Sequence, residues 1–170
     1  QVSHEISGFS DSGDELLTYE FKPFSYKTSK EKIIKALSSR EIHLCNNADG
    51  ESIVYFAERL LIRPERRKLL IVLSDGQPAG GSSGDSSAYL SKVTSKIYNE
   101  TPELDLVGIG IATICFESYY KHSVVVSNPS ELDKALFKVL KDFLVWVMKQ
   151  YERWVVQRQQ SDGFWHTSFY

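Results

Sequence analysis

The chain has 170 residues, enough for one domain with a substantial hydrophobic core. Hydrophobic residues make up 42% and charged residues 25%, as in ordinary globular proteins. The net charge of −2 gives no indication of a nucleic-acid partner. The sequence shows no signal peptide and no apolar run of the roughly 18 residues that a membrane helix needs, so we expect a cytoplasmic protein.

The first third of the chain predicts two strands followed by two helices. Short β-rich segments at 2–9, expected to be buried, and at 16–24 flank a turn of small and polar residues at 10–14. A short helix is predicted over Lys30–Leu37. A second helix is predicted over Asp49–Ile62, because its apolar residues repeat with the 3.6-residue period of an α-helix.

The rest of the chain alternates strands with helices. Apolar runs predict strands, and the longer runs are typical of strands covered on both faces. This order predicts an open, doubly wound α/β sheet with helices on both faces. The predicted strands lie at 68–73, 104–111 and 123–126, and the helices at 87–99 and from 131 to about 157, the latter capped by Ser130 and followed by an aromatic tail at 161–170.

Polar residues at two loops form a candidate cation site. In an open α/β sheet, ligands bind beyond the carboxyl ends of the strands. Asp75 directly follows the strand at 68–73, and a loop with Asn47, Asp49 and Glu51 precedes the second helix. Such side chains can offer oxygen ligands to Mg²⁺, which is usually held by one or two carboxylates and waters. The alternative, compatible with the first, is local: Asp75 forms an Asx-turn and Asp49 caps the helix.

A known family resembles this part of the chain. Residues 46–79, NNADGESIVYFAERLLIRPERRKLLIVLSDGQPA, are similar to the core of the von Willebrand factor A (VWA) domain in the CobT subunit of aerobic cobaltochelatase. The shared features are an N-x-D-G-E loop, a helix ending in RLL-x-RPE-x-R, an apolar strand and SDG-x-P. The resemblance extends over about residues 2–144, and we divide the chain into a VWA-like domain (1–144) and a C-terminal helical extension with an aromatic tail (145–170).

The resemblance implies a metal-ion-dependent adhesion site (MIDAS) for Mg²⁺ or a similar divalent cation. Asp75 matches the aspartate of the family's third metal loop. Asn47 stands where most VWA domains place a coordinating threonine, and Asp49 lies two residues further on. By the same resemblance, the residues that would support the metal loops are Ser74, Gly76 and Glu51.

The chain departs from the family at its start. The first metal loop, Asp-x-Ser-x-Ser, and the central strand before it are missing, and residues 2–9 instead resemble the family's second strand. Residues 11–14 are no substitute, because Gly13 falls where a serine hydroxyl is needed. We therefore expect the central strand to come from an upstream segment or another chain, and cation binding to be weak or absent without that loop. The start at Gln1, with Met148 the only methionine, also predicts a longer product.

The function implied by the resemblance is that of a non-catalytic subunit. It would work with a CobS-like AAA+ ATPase and a large chelatase subunit, in a complex that inserts Co²⁺ into a corrin ring, while its cation grasps a partner carboxylate. One alternative is a VWA interaction module of an AAA+ remodelling system with a non-corrin target. A weaker alternative is a hydrolase with Asp49 and Asp75 as metal ligands, but the sequence has no evident general base, Walker A loop or G-x-S-x-G motif.

Three further features complete the sequence-based predictions. The end of the second helix is positively charged, and we interpret it either as a solvent-exposed helix end or as a patch that contacts a partner. Its arginines are Arg63, Arg66 and Arg67. The apolar stripe of the last helix continues beyond residue 143, which favours self-association, the alternative being a cover formed by the tail at 164–170. The residues of this stripe are Phe143, Leu144, Val147, Tyr151, Trp154 and Val155. The two cysteines, Cys45 and Cys115, have no metal-ligand spacing and are expected to be buried free thiols.

Overall fold

The computed structural model describes residues 3–13, 15–24, 27–82, 84–113 and 116–162. Within these residues, strands and helices follow the predicted order. Their bounds are β1 (Ile6–Ser12), β2 (Glu15–Lys22), α1 (Lys30–Leu37), α2 (Asp49–Leu61), β3 (Lys68–Ser74), α3 (Ser86–Glu100), β4 (Leu104–Ile111), β5 (Ser123–Val126) and α4 (Leu132–Asp162), with short 3-10 helices at Phe116–Ser118 and Pro129–Glu131.

The centre of the molecule is a parallel sheet with the order β3–β4–β5. On one face, α2 and α3 pack against the sheet around fully buried residues such as Leu90 and Leu106. On the other face, Ala135 and Val139 of α4 pack against Ile109 and Val126. The predicted α/β fold with helices on both faces is confirmed.

A separate antiparallel hairpin, β1–β2, precedes this sheet. In the described part of the chain, no strand pairing joins the hairpin to β3, so the inner edges of β1 and β3 both lack a partner strand. This division into two sheets is the arrangement expected of a VWA-like domain whose central strand is missing.

The position and burial of the first strand were predicted incorrectly. It runs over Ile6–Ser12 rather than 2–9, because Ser10, Asp11 and Ser12 continue the pairing with β2. The strand as a whole is half-buried and not buried throughout. The turn is reduced to the residues around Gly13, whose φ of +68° favours glycine.

The free thiols also differ from the prediction. Cys45 is an exposed free thiol, because it lies in the extended segment between α1 and α2 rather than in the core. The predicted buried thiol Cys115 lies outside the described residues.

Helix α4 is the longest element of the chain, with 31 residues. Its N-terminal region is capped by Asn128, whose side chain accepts a hydrogen bond from Ser130 N at 3.0 Å, and not by Ser130 itself, because a 3-10 turn precedes the helix. In the predicted stripe beyond residue 143, Leu144 is exposed and Phe143 and Val147 are partly buried, and the tail predicted as its alternative cover (164–170) lies outside the described residues. Leu144 also belongs to an exposed line of apolar residues that begins nearer the start of α4. The members of this line and their exposed fractions are Phe137 (70%), Leu140 (41%), Leu144 (46%) and Met148 (64%).

The helices of the described residues include none with the length and apolar character that crossing a lipid bilayer requires.

Candidate functional site

The carboxyl end of β3 forms one side of the candidate site. Ser74 ends the strand, and its hydroxyl oxygen accepts a hydrogen bond from Gly76 N at 3.1 Å. Asp75 Oδ1 accepts one from Gln77 N at 3.1 Å, so Asp75 forms the predicted Asx-type turn. Gly76 has a φ of +73°, and a Cβ there would lie 2.7 Å from Thr113 Oγ1, which explains the glycine. The turn therefore holds the Asp75 carboxylate beyond the end of the sheet.

The start of α2 forms the other side of the site. The Asn47 side-chain amide donates hydrogen bonds to Asp49 Oδ2 at 2.8 Å and to Asp75 Oδ1 at 3.3 Å. The structure therefore brings Asn47, Asp49 and Asp75 together, as the sequence predicts. Asp49 is not the N-cap, however: it is the first residue of the helix, after Ala48, which has no side chain that could cap it.

Asp49 carries the unusual electrostatics of the site. Its side chain is 1% exposed, and burial raises its pKa from 3.8 to about 6; the neighbouring Asp75 carboxylate adds to the rise, while hydrogen bonds from Ser74 and Asn47 oppose it. Asp49 Oδ1 has no hydrogen-bond partner among the described residues. The site thus contains a buried carboxyl group that lacks a partner for one oxygen.

These residues fit a hard divalent cation. Two carboxylates and the Ser74 hydroxyl supply oxygen atoms, the ligands that Mg²⁺ prefers, and Asn47 would add its amide oxygen after a rotation that replaces the N–H now facing the carboxylates. The amide N–H of Asn47, which carries a partial positive charge, already bridges Asp49 and Asp75, so this is a place where positive charge is favourable. In the described residues, no three or more His, Cys, Asp and Glu side chains are grouped closely enough to hold an ion, so hydroxyl, amide and water ligands would have to complete the site.

Two acidic residues lie beside this group rather than in it. Glu51, predicted as a supporting residue, lies against Gly81 in the loop after β3. Asp11, at the end of β1, is fully buried and accepts a hydrogen bond from Gly81 N at 3.0 Å. Sequence reasoning missed Asp11, because its Ser-Asp-Ser-Gly context indicated a turn. An acid at the carboxyl end of a strand was the available signal.

Two of the three arginines predicted to contact a partner are engaged within the chain. Arg67 forms an ion pair with Asp105 at 2.6 Å and stacks on the Trp146 ring of α4 with 4.0 Å to the ring centroid. Arg63 pairs with Glu65 and lies over the Phe24 ring. Arg66 is exposed. A partner contact at this helix end stays a prediction, with Arg66 its most accessible member.

Comparison with known proteins identifies the family. The family described as the cobalamin biosynthesis protein CobT VWA domain matches residues 25–145, which include Asn47, Asp49 and Asp75. The β1–β2 hairpin lies outside the matched residues. No solved structure matches the chain significantly. Because the match covers well over half of the 170 residues, this chain belongs to the CobT VWA-domain family.

Proposed function

We propose that the chain is the VWA subunit of an ATP-dependent cobaltochelatase-type complex, and that its cation site binds a carboxylate of a partner protein. The observation that carries this proposal is the pair of carboxylates, Asp49 and Asp75, joined by the Asn47 amide at the carboxyl end of β3. A divalent cation at this place would have protein ligands on one side and water molecules on the side that faces solvent. An incoming Asp or Glu side chain could replace one of these waters.

In this proposal the chain is a non-catalytic, cytoplasmic subunit. Family membership supports a role in cobalamin biosynthesis. A CobS-like AAA+ ATPase would hydrolyse ATP, and a large chelatase subunit would hold the corrin that receives Co²⁺. Arg66, on the exposed side of the turn after α2, is the residue we assign to partner contact. The second candidate, an interaction module of an AAA+ system with another target, uses the same site and differs in the partner.

Mn²⁺ binding followed by electron paramagnetic resonance tests the cation site, since Mn²⁺ occupies the same hard oxygen sites as Mg²⁺ and its free-ion signal disappears on binding. We expect weak binding by the parent chain, competition by Mg²⁺, and at least a tenfold loss of affinity at this site in Asp75→Ala. Asp142→Ala, which removes an exposed carboxylate of α4, is the matched control and should bind as the parent does. Equal binding by Asp75→Ala and the parent would remove Asp75 from the site.

We also propose that α4 associates with a second copy of the chain. Phe137, Leu140, Leu144 and Met148 follow one another at spacings of three and four residues, which places them on one side of the helix. Sedimentation of the parent at tens of micromolar should show a dimer, and the double variant Leu140→Gln/Leu144→Gln should be a monomer. A monomeric parent would reject this contact.

A further inference from the structure

Asp11 is a buried carboxylate that the proposed function does not use. It lies at the end of β1 and has no exposed surface. One oxygen, Oδ2, accepts a hydrogen bond from Gly81 N, while Oδ1 has no hydrogen-bond partner in the described part of the chain. Burying an ionised carboxylate with one oxygen unsatisfied is costly unless a donor or a cation meets it. This residue therefore points to a ligand.

The segment Gly80–Gly81 brings a second carboxylate to the same place. Both glycines have positive φ, +85° and +76°. A Cβ on Gly80 would collide with Asp11 Oδ2, and a Cβ on Gly81 would lie 2.5 Å from Glu51 Oε1, so the two carboxylates pack against neighbouring residues of one loop. Glu51 Oε1 is also buried and lacks a hydrogen-bond partner among the residues that the structure describes. Two carboxylates, each with one unpartnered oxygen, therefore pack against a pair of glycines whose backbone conformation favours glycine.

This pair is distinct from the Asn47–Asp49–Asp75 group. The described residues contain no cluster of three or more acidic, His or Cys side chains that could hold one ion, so the four carboxylates do not form a single centre. The nearby Ser10 hydroxyl is committed elsewhere, since it accepts a hydrogen bond from Cys45 N and donates one to Asn46 O. The Ser10 hydroxyl therefore does not donate a hydrogen bond to Asp11 or Glu51.

We infer that Asp11 and Glu51 form a second site for a hydrated divalent cation, Mg²⁺ or Ca²⁺, at the Gly80–Gly81 segment. Carboxylate oxygens and waters are the ligands that such cations take, and the ion would supply the partner that the buried Asp11 carboxylate lacks. The bound ion would join the end of β1 to the loop that follows Asp75. It would thereby order that loop without itself contacting the partner carboxylate.

The test counts bound Mn²⁺ on the whole chain by electron paramagnetic resonance. We expect two ions on the parent, one on Asp11→Asn, one on Asp75→Ala, and none on the double variant. Asparagine keeps the size of Asp11 and an oxygen that can accept the Gly81 hydrogen bond, so the loop should persist. Asp142→Asn, on the exposed side of α4, is the control and should bind two ions.

The outcomes separate this inference from the proposed function. Two ions on Asp11→Asn, or a single ion on the parent that Asp75→Ala removes, would overturn the inference and leave the first site standing. One ion on Asp11→Asn with two still on Asp75→Ala would support the inference and reject Asp75 as a ligand. If Asp11→Asn does not fold, as shown by the loss of its cooperative urea transition, the same ion count is made on Glu51→Gln. Because Glu51 is only partly buried, this variant should keep the fold, and one bound ion on it would support the inference.

Discussion

The β1–β2 hairpin and the β3–β4–β5 sheet are held in the molecule by different forces. Among the described residues, every buried side chain of the hairpin strands is polar, whereas the parallel strands bury mainly aliphatic residues. The hairpin is attached through contacts such as the ion pair of Arg59 with Glu5 at 2.7 Å. The buried residues are Ser10, Asp11 and Lys22 in the hairpin, and Lys68, Val72, Ser74, Leu104, Leu106, Ile109 and Val126 in the sheet, apart from its glycines.

The difference shows what an interior strand contributes to an α/β sheet. The three parallel strands keep a core of their own, because helices cover both faces of their sheet. The hairpin contributes no residue to these cores, although α1 and α2 contact β2, and the inner edge of β1 has no partner strand in the described residues. Its position depends on hydrogen bonds and ion pairs, each of which contributes little net free energy. The hairpin should therefore be the first part of the chain to open.

The largest expected effect comes from truncating the core of the parallel sheet. Leu106→Ala removes a side chain with no exposed surface and should lower the free energy of unfolding by about 3 kcal/mol. Leu17→Ala in β2 is the matched change, and since Leu17 is only half-buried, it should cost about 1 kcal/mol. Urea unfolding followed by circular dichroism measures both. Equal losses would show that the hairpin shares the core of the sheet.

An effect of at most the same size tests the buried charge at the start of α2. The pKa of Asp49 is raised to about 6, so between pH 4 and pH 6 the folded chain holds a proton that the unfolded chain has lost. Without metal, this group is most favourable to folding at low pH, and its contribution falls as the pH rises through 6. Asp49→Asn has no carboxyl group to ionise at this position. The free energy of unfolding of the variant minus that of the parent should therefore increase by up to about 3 kcal/mol from pH 4 to pH 7.

Urea unfolding in EDTA at both pH values gives this difference, and adding Mg²⁺ at pH 7 should stabilise the parent more than it stabilises Asp49→Asn. Because other carboxylates also titrate in this range, only the difference between variant and parent is informative. A difference that does not change with pH would mean that Asp49 ionises without cost in the folded chain.

The smallest expected effect concerns the attachment of the hairpin. Arg59→Met removes the ion pairs with Glu5 and Glu20, and since Arg59 is 40% exposed, we expect a loss of only about 0.5 kcal/mol in global stability. Amide hydrogen exchange should nevertheless accelerate in β1 and β2 and stay unchanged in β3–β5. Arg66→Met, at an exposed arginine, is the control. Faster exchange in β3–β5 as well would contradict a separately attached hairpin.

The sequence by itself determined the parallel sheet and the first candidate site. The apolar runs KLLIVL and LDLVGIGI indicate strands covered on both faces, and helix periods place α2 and α3 around them. Asp75 and the loop of Asn47 and Asp49 could be predicted to meet, because the carboxyl ends of parallel strands and the helices packed on them share one edge of the sheet. These features depend on local patterns and on a general rule of topology.

Only the tertiary structure decided the burial of Asp11, the position of Glu51 and the contacts of Arg67. Asp11 meets Gly81 across 70 residues of sequence, and no local pattern distinguishes a buried acid at the end of a strand from a polar turn. Arg67 is likewise occupied by Trp146 of a distant helix, although its sequence neighbours indicate a solvated helix end. Burial and hydrogen bonding arise when distant segments pack together, and for that reason residue type and spacing do not reveal them.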